Sequence, residues 1–93
     1  MKTFQKEHQI ICRLEVGDEI LTELKYLAAT FPNQLGTITG IGACDEVTVS
    51  VYSPETDQYI ATSSQEQVEL LALSGNVENA NGTIDVHLHA SFA

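Results

Sequence analysis

The chain has 93 residues, 43% of them hydrophobic, and sets 13 Asp or Glu against 4 Lys or Arg for a formal charge of −9. That length supplies one small core and excludes two full domains, while the charge repels a phosphate backbone and excludes unaided nucleic-acid binding as a main activity. No basic-then-apolar leader opens the chain and no apolar run is long enough to span a bilayer, so the expected location is cytoplasmic.

Residues 1–7 are polar apart from Phe4 and read as a loose N-terminal segment. Residues 8–15 alternate, with Ile10, Cys12 and Leu14 on one side, and predict a first strand. Gly17-Asp18-Glu19 marks a helix start with two acids where the helix dipole favours them. Ile20, Leu21, Leu24, Leu27, Ala28 and Phe31 recur at helical spacing before Pro32-Asn33, predicting one amphipathic helix of about four turns.

Residues 36–43 place Gly36, Gly40 and Gly42 among β-branched residues, which suits a strand that bends or admits a close neighbour. The spacing fits neither a dinucleotide fingerprint nor a P-loop, and no Lys-Ser or Lys-Thr follows. Val47, Val49 and Val51 alternate with Thr48, Ser50 and Tyr52, and the turn chemistry of residues 53–57 joins this strand to residues 58–62 as a hairpin. Residues 68–77 read as a central strand interrupted at Gly75-Asn76, with Leu70-Leu71-Ala72-Leu73 apolar enough to be covered on both faces. Residues 79–82 then make a turn around Asn81-Gly82, and residues 83–92 form the last strand.

Alternation in that last strand sorts its side chains by chemistry. Ile84, Val86, Leu88, Ala90 and Phe92 fall on one side, and Asp85, His87, His89 and Ser91 on the other. Imidazoles at i and i+2 of a strand stand roughly 6.5–7 Å apart at their Cα atoms, within reach of one divalent ion. His87 and His89 are therefore the candidate metal ligands, with Asp85 as a further ligand or as the acceptor that orients an imidazole. Zinc sites normally use three or four ligands, and His8 is the only other histidine.

The runs Gly17-Asp18-Glu19-Ile20-Leu21, Thr39-Gly40-Ile41-Gly42-Ala43, Val47-Thr48-Val49, Glu69-Leu70-Leu71-Ala72-Leu73-Ser74-Gly75-Asn76 and His87-Leu88-His89, in that order, resemble the PPC domain, the plants and prokaryotes conserved domain. The resemblance covers about residues 13–93. It implies an α+β fold, an antiparallel sheet with one main amphipathic helix packed on it, assembled as a homotrimer. In plants the domain accompanies AT-hook segments that contact DNA. Single-domain prokaryotic members are labelled DNA-binding by association, and in them the His-x-His pair joins a later His, in a Gly-Gly-His segment, to hold a divalent metal such as zinc.

Two departures qualify the resemblance. There is no Arg-Gly-Arg-Pro-like AT-hook, Arg13 being the only arginine, and no Gly-Gly-His segment. The expectation is thus a single PPC-like domain over residues 1–93 that lacks the family's C-terminal strands. Its expected role is oligomerisation and interaction, with DNA reached through a partner. The alternative is a metal-dependent enzyme centred on Asp85, His87 and His89. Cupin chemistry is disfavoured because no Glu and further His follow the pair, and no serine has a nucleophile-elbow frame. Cys12 and Cys44 lack Cys-x-x-Cys spacing and read as two buried thiols.

Overall fold

A short turn at Glu7 changes the reading of the N-terminus. Glu7 adopts a φ of 56°, and the chain reverses there so that β1 (Lys2–Lys6) pairs antiparallel with β2 (Gln9–Arg13), Lys6 facing Gln9 and Lys2 facing Arg13. Residues 1–7 are therefore not a loose segment. Their polar composition reflects a strand whose residues are all exposed. The computed structural model describes all 93 residues.

Helix α1 (Ile20–Ala28) has nine residues, shorter than the four turns its apolar spacing predicts. Glu19 caps its start, accepting hydrogen bonds from Leu21 N and Thr22 N, both at 3.0 Å. Its end tightens: Thr30 N and Phe31 N donate to the carbonyls of Leu27 and Ala28 three residues back, and the Thr30 hydroxyl also donates to Leu27 O at 2.7 Å. These bonds replace the next helical turn, so Phe31 keeps its spacing but not its helix.

The remaining strands are β3 (Gln34–Cys44), β4 (Val47–Ser53), β5 (Gln58–Ser64), β6 (Val68–Ala80) and β7 (Thr83–Phe92). They form a three-stranded sheet in the order β3-β6-β7 and a separate β4-β5 hairpin. The fold is mostly antiparallel β with one short helix. The β4-β5 pairing runs from Val47 opposite Ser64 to Ser53 opposite Gln58, closed by a four-residue turn in which Asp57 takes a φ of 53°. Asn81 and Gly82, with φ of 53° and 84°, make the two-residue turn expected between β6 and β7.

Glycine explains the packing of β3 on β6. A β-carbon at Gly36 would sit 3.2 Å from Val77 Cγ1, and one at Gly40 would sit 3.6 Å from Leu73 Cδ2. Moving four residues forward in β3 moves the contact four residues back in β6, which makes the two strands antiparallel. The bare backbone at Gly36 leaves room for Val77, whereas at Gly40 a β-carbon would make an ordinary contact with Leu73. Strand β6 also runs unbroken through Gly75-Asn76, contrary to the expected interruption.

Strand β6 accommodates one residue more than β7. The pair closes at Ala80 and Thr83 beside the turn, and again at Glu69 and Ala93, where each backbone N–H donates to the other's carbonyl at 2.8 and 3.0 Å. In β6 the more buried side passes from Val68 and Leu70 to Leu73, Gly75, Val77 and Asn79, while β7 keeps Ile84, Val86, Leu88 and Phe92 on one side. The two consecutive exposed residues Leu71 and Ala72 mark the change of phase.

The chain divides into two compact units. The first comprises residues 1–38 and 75–88, and the second residues 39–74 and 89–93. In the first, Ala28 of α1 and Asn79 of β6 are buried, and Asn79 Nδ2 donates to Ala28 O at 2.8 Å. In the second, Leu70 is the one buried apolar residue. Leu71 beside it is 55% exposed, so the run from Leu70 to Leu73 is not covered on both faces. Cys12 and Cys44 are free and half-buried rather than fully buried, because both lie on strands with one thinly covered side.

Candidate metal centre

Strand β7 carries the candidate ligands, and its burial follows the predicted alternation. Ile84, Val86 and Leu88 are half-buried, while Asp85, His87 and His89 are exposed. The apolar set anchors the strand, and the polar set faces away from the core. At the end of the sheet order, β7 is also an edge strand, with β6 as its only neighbour within the chain.

A specific backbone contact fixes where His87 sits. A β-carbon at Gly75 would lie 1.9 Å from the carbonyl oxygen of His87 and 3.0 Å from Leu88 Cα. Only glycine admits such an approach, so the Gly75 of the fourth sequence run and the His87 of the fifth are one structural feature.

The ligand set itself is incomplete. No group of three His, Cys, Asp or Glu side chains is arranged to hold a metal ion. His8 lies in the turn between β1 and β2 and completes no such group. Two imidazoles fall short of the three or four donors of a protein zinc site, so the residues of this chain do not by themselves fit a bound metal.

Displaced titrations lie elsewhere, most of them at the helix start. Asp18 is held below the usual carboxylate range, first by the backbone N–H of Glu15 at 2.9 Å and then by the Met1 ammonium, also 2.9 Å away. The Met1 ammonium is raised in turn, chiefly by its hydrogen bond to Asp18. Glu19 is lowered mainly by the Thr22 hydroxyl, which donates to Oε1 at 2.6 Å. Burial pushes the Cys12 thiol up. The contacts of Met1, Asp18 and Glu19 build the approach to the helix N-terminus.

The sequence reading missed Asn79. It lies in a turn-rich run and was read as turn material, yet it shares the inward phase of Gly75 and Val77, which is the signal that marks it as a core residue. Its Oδ1 is buried without a hydrogen-bond partner.

The whole chain, residues 1–93, matches the model of the Plants and Prokaryotes Conserved (PCC) domain. The protein belongs to that family. Among solved structures, a candidate DNA-binding protein from Bacteroides thetaiotaomicron is 27% identical and superposes with a TM-score of 0.90 over 99% of this chain and 64% of its own. A plant- and prokaryote-conserved protein from Pyrococcus horikoshii is 28% identical, with a TM-score of 0.74 over 85% of this chain and 55% of its own. A metal-containing protein from Archaeoglobus fulgidus, 23% identical, shares the fold with a TM-score of 0.78 over all of this chain and 68% of its own. The chain thus spans between about half and two-thirds of the length of these structures. Among curated proteins, none matches. No helix is long and apolar enough to cross a membrane.

Proposed function

We propose that this PCC-domain chain is a self-associating interaction domain, working as a homotrimer and reaching DNA through a partner rather than through its own surface. One observation carries the reading: the chain leaves its apolar residues in water. Ala28 and Leu70 are the only buried hydrophobic residues, while thirteen large apolar or aromatic side chains are exposed. The accessible surface is 7458 Å², whereas a folded monomer of 10.1 kDa is expected to expose about 5,300 Å². The excess, about 2,200 Å², accommodates two footprints of ~800 Å², and each member of a closed three-membered ring must bury two.

The edge position of β7 points the same way. It is ten residues long and contains neither Lys nor Pro, the residues that usually blunt an exposed edge. The charge of −9 supports indirect DNA association, and so does the description of the Bacteroides relative as a candidate DNA-binding protein. His87 and His89 offer two imidazoles to a divalent ion whose other ligands come from outside this chain. The Archaeoglobus protein of the same fold is described as metal-containing. Sedimentation equilibrium across a concentration series tests the proposal. A single species of three times the chain mass is expected, and a stable, well-folded monomer throughout would refute it.

A further inference from the structure

The β4-β5 hairpin lies wholly within the second unit, and its register separates its two faces. Directly opposed residues share a face, so Val47 with Ser64, Val49 with Thr62 and Val51 with Ile60 line one side. The opposite side carries Thr48 with Ser63, Ser50 with Ala61, and Tyr52 with Tyr59. Local contacts hold this side together: the hydroxyls of Thr48 and Ser63 are 2.9 Å apart, the rings of Tyr52 and Tyr59 meet tilted at 58° with centroids 5.5 Å apart, and the Tyr52 hydroxyl donates to Asp57.

The apolar side has no such closure. Its base borders a cleft of about 160 Å³ lined in part by Val47, Val49, Val68 and Phe92. Towards the tip the cover ends, leaving Val51 66% and Ile60 57% exposed. All seven residues of β5 are exposed. A two-stranded hairpin in water is marginal unless its apolar face is packed against something.

Charge identifies the occupant. The strands Val47–Ser53 and Gln58–Ser64 contain no charged residue, although the chain carries −9. The nearby acids stand off the strands, Asp45 and Glu46 before the hairpin, Glu55 and Asp57 in its turn, and Glu66 after it. A basic protein would be drawn to the acidic remainder of the surface. Two copies of one acidic chain repel everywhere except where neither presents charge, and a neutral apolar strip removes that penalty.

From these observations we infer that the apolar face of the β4-β5 hairpin, centred on Val51 and Ile60, docks against a second copy of this chain. The inference rests on the self-association proposed above and names the surface that carries it. Both residues are exposed in the single chain, so replacing either leaves the fold of that chain intact.

Sedimentation of three variants beside the wild type separates the two claims. Val51→Asp, and independently Ile60→Ser, should weaken assembly at least about tenfold, the change that ~1.4 kcal/mol of lost contact produces. Val16→Asp, which adds the same charge at an exposed residue of the first unit, should leave it unchanged. Circular dichroism checks that each variant retains its secondary structure. A monomeric wild type would overturn the self-association reading and this inference together. An associating wild type whose Val51→Asp and Ile60→Ser variants assemble equally well would overturn the hairpin inference alone. Hydrogen exchange adds a readout independent of substitution: the amides of β4 and β5 should slow as protein concentration rises, and exchange that ignores concentration would also overturn the inference.

Discussion

Replacing Gly75 with alanine tests the feature that fixes His87 most directly. The added methyl would start 1.9 Å from the His87 carbonyl oxygen, so one backbone must retreat by about 1.1 Å to reach even 3.0 Å. Both atoms to be moved belong to strands rather than to a flexible side chain, so the strain is not relieved by a rotamer change. Gly75 does not have a positive φ, and alanine therefore carries no dihedral penalty there. It gains ~0.4–1 kcal/mol by restricting the unfolded chain. Against that stand ~1–3 kcal/mol of overpacking and about 1 kcal/mol for each ladder hydrogen bond that opens between β6 and β7. The net expectation is a loss of about 3 kcal/mol, a large part of the ~5–14 kcal/mol available to a domain of this size. With a urea m-value of ~1 kcal/mol per M, the unfolding midpoint should fall by about 3 M. Wild type and variant are compared at one protein concentration, because the proposed assembly would contribute to stability. Gly42→Ala is the internal control. A β-carbon there meets nothing within 4 Å and φ is not positive, so its effect should stay within ~0.5 kcal/mol. A Gly75→Ala midpoint as close to wild type as that of Gly42→Ala would refute the argument.

Other expectations follow from single contacts. Asn79→Asp removes the amide that donates to Ala28 O and buries a carboxyl group, so urea unfolding at neutral pH should show a loss of about 3 kcal/mol. The buried acid's folded pKa is raised, so stability should be regained as pH falls through that pKa toward the unfolded value, and a pH-independent deficit would refute the hydrogen-bond account. Glu19 has the opposite sign. Its folded pKa is lowered from 4.5, so its contribution is complete above that value and fades as pH falls through the lower folded pKa; Glu19→Ala should remove this acid-side loss of helical signal. Equilibrium dialysis against zinc followed by a chelator wash should leave the chain without stoichiometric metal, and one tightly held ion per chain, lost in His87→Ala, would show that a third donor exists. In a mobility assay the chain alone should not shift duplex DNA at low salt, and a salt-sensitive shift would contradict the argument from charge.

Period-two alternation was legible because it survives any packing that covers one side of a strand. It located β4 and β7 and assigned Asp85, His87 and His89 to the exposed side of β7, while the turn chemistry of residues 53–57 located β5. The Asn81-Gly82 turn was equally readable, since few residue pairs accept two positive φ angles. Strand β1 was not, because the turn that creates it uses Glu7, a residue with no special tolerance for positive φ, and because all its side chains are exposed. The helix was overextended because apolar spacing continues to Phe31, while the bonds that end the helix involve Thr30 and the carbonyl of Leu27. Gly75 misled in the other direction. Glycine weakens an isolated strand, but here it is the condition for β6 and β7 to approach.

The ligand question was illegible for a deeper reason, which lies in the sheet order. Asp85, His87 and His89 share one face of β7, but Asp85 and His89 stand about 13 Å apart along the strand, so only neighbouring pairs can reach one ion and a third donor must come from whatever lies beside that strand. Within this chain the neighbour of β7 is β6, whose only potential donors are Glu69 and Glu78, and no group of three results. The other edge of β7 has no partner strand in the chain, and a strand pairing there would sit about 4.8 Å away, near enough to present its own side chains to His87 and His89. Whether the two imidazoles ever hold a metal is therefore decided by what pairs with that edge. A partner strand on that edge would couple metal binding at His87 and His89 to assembly.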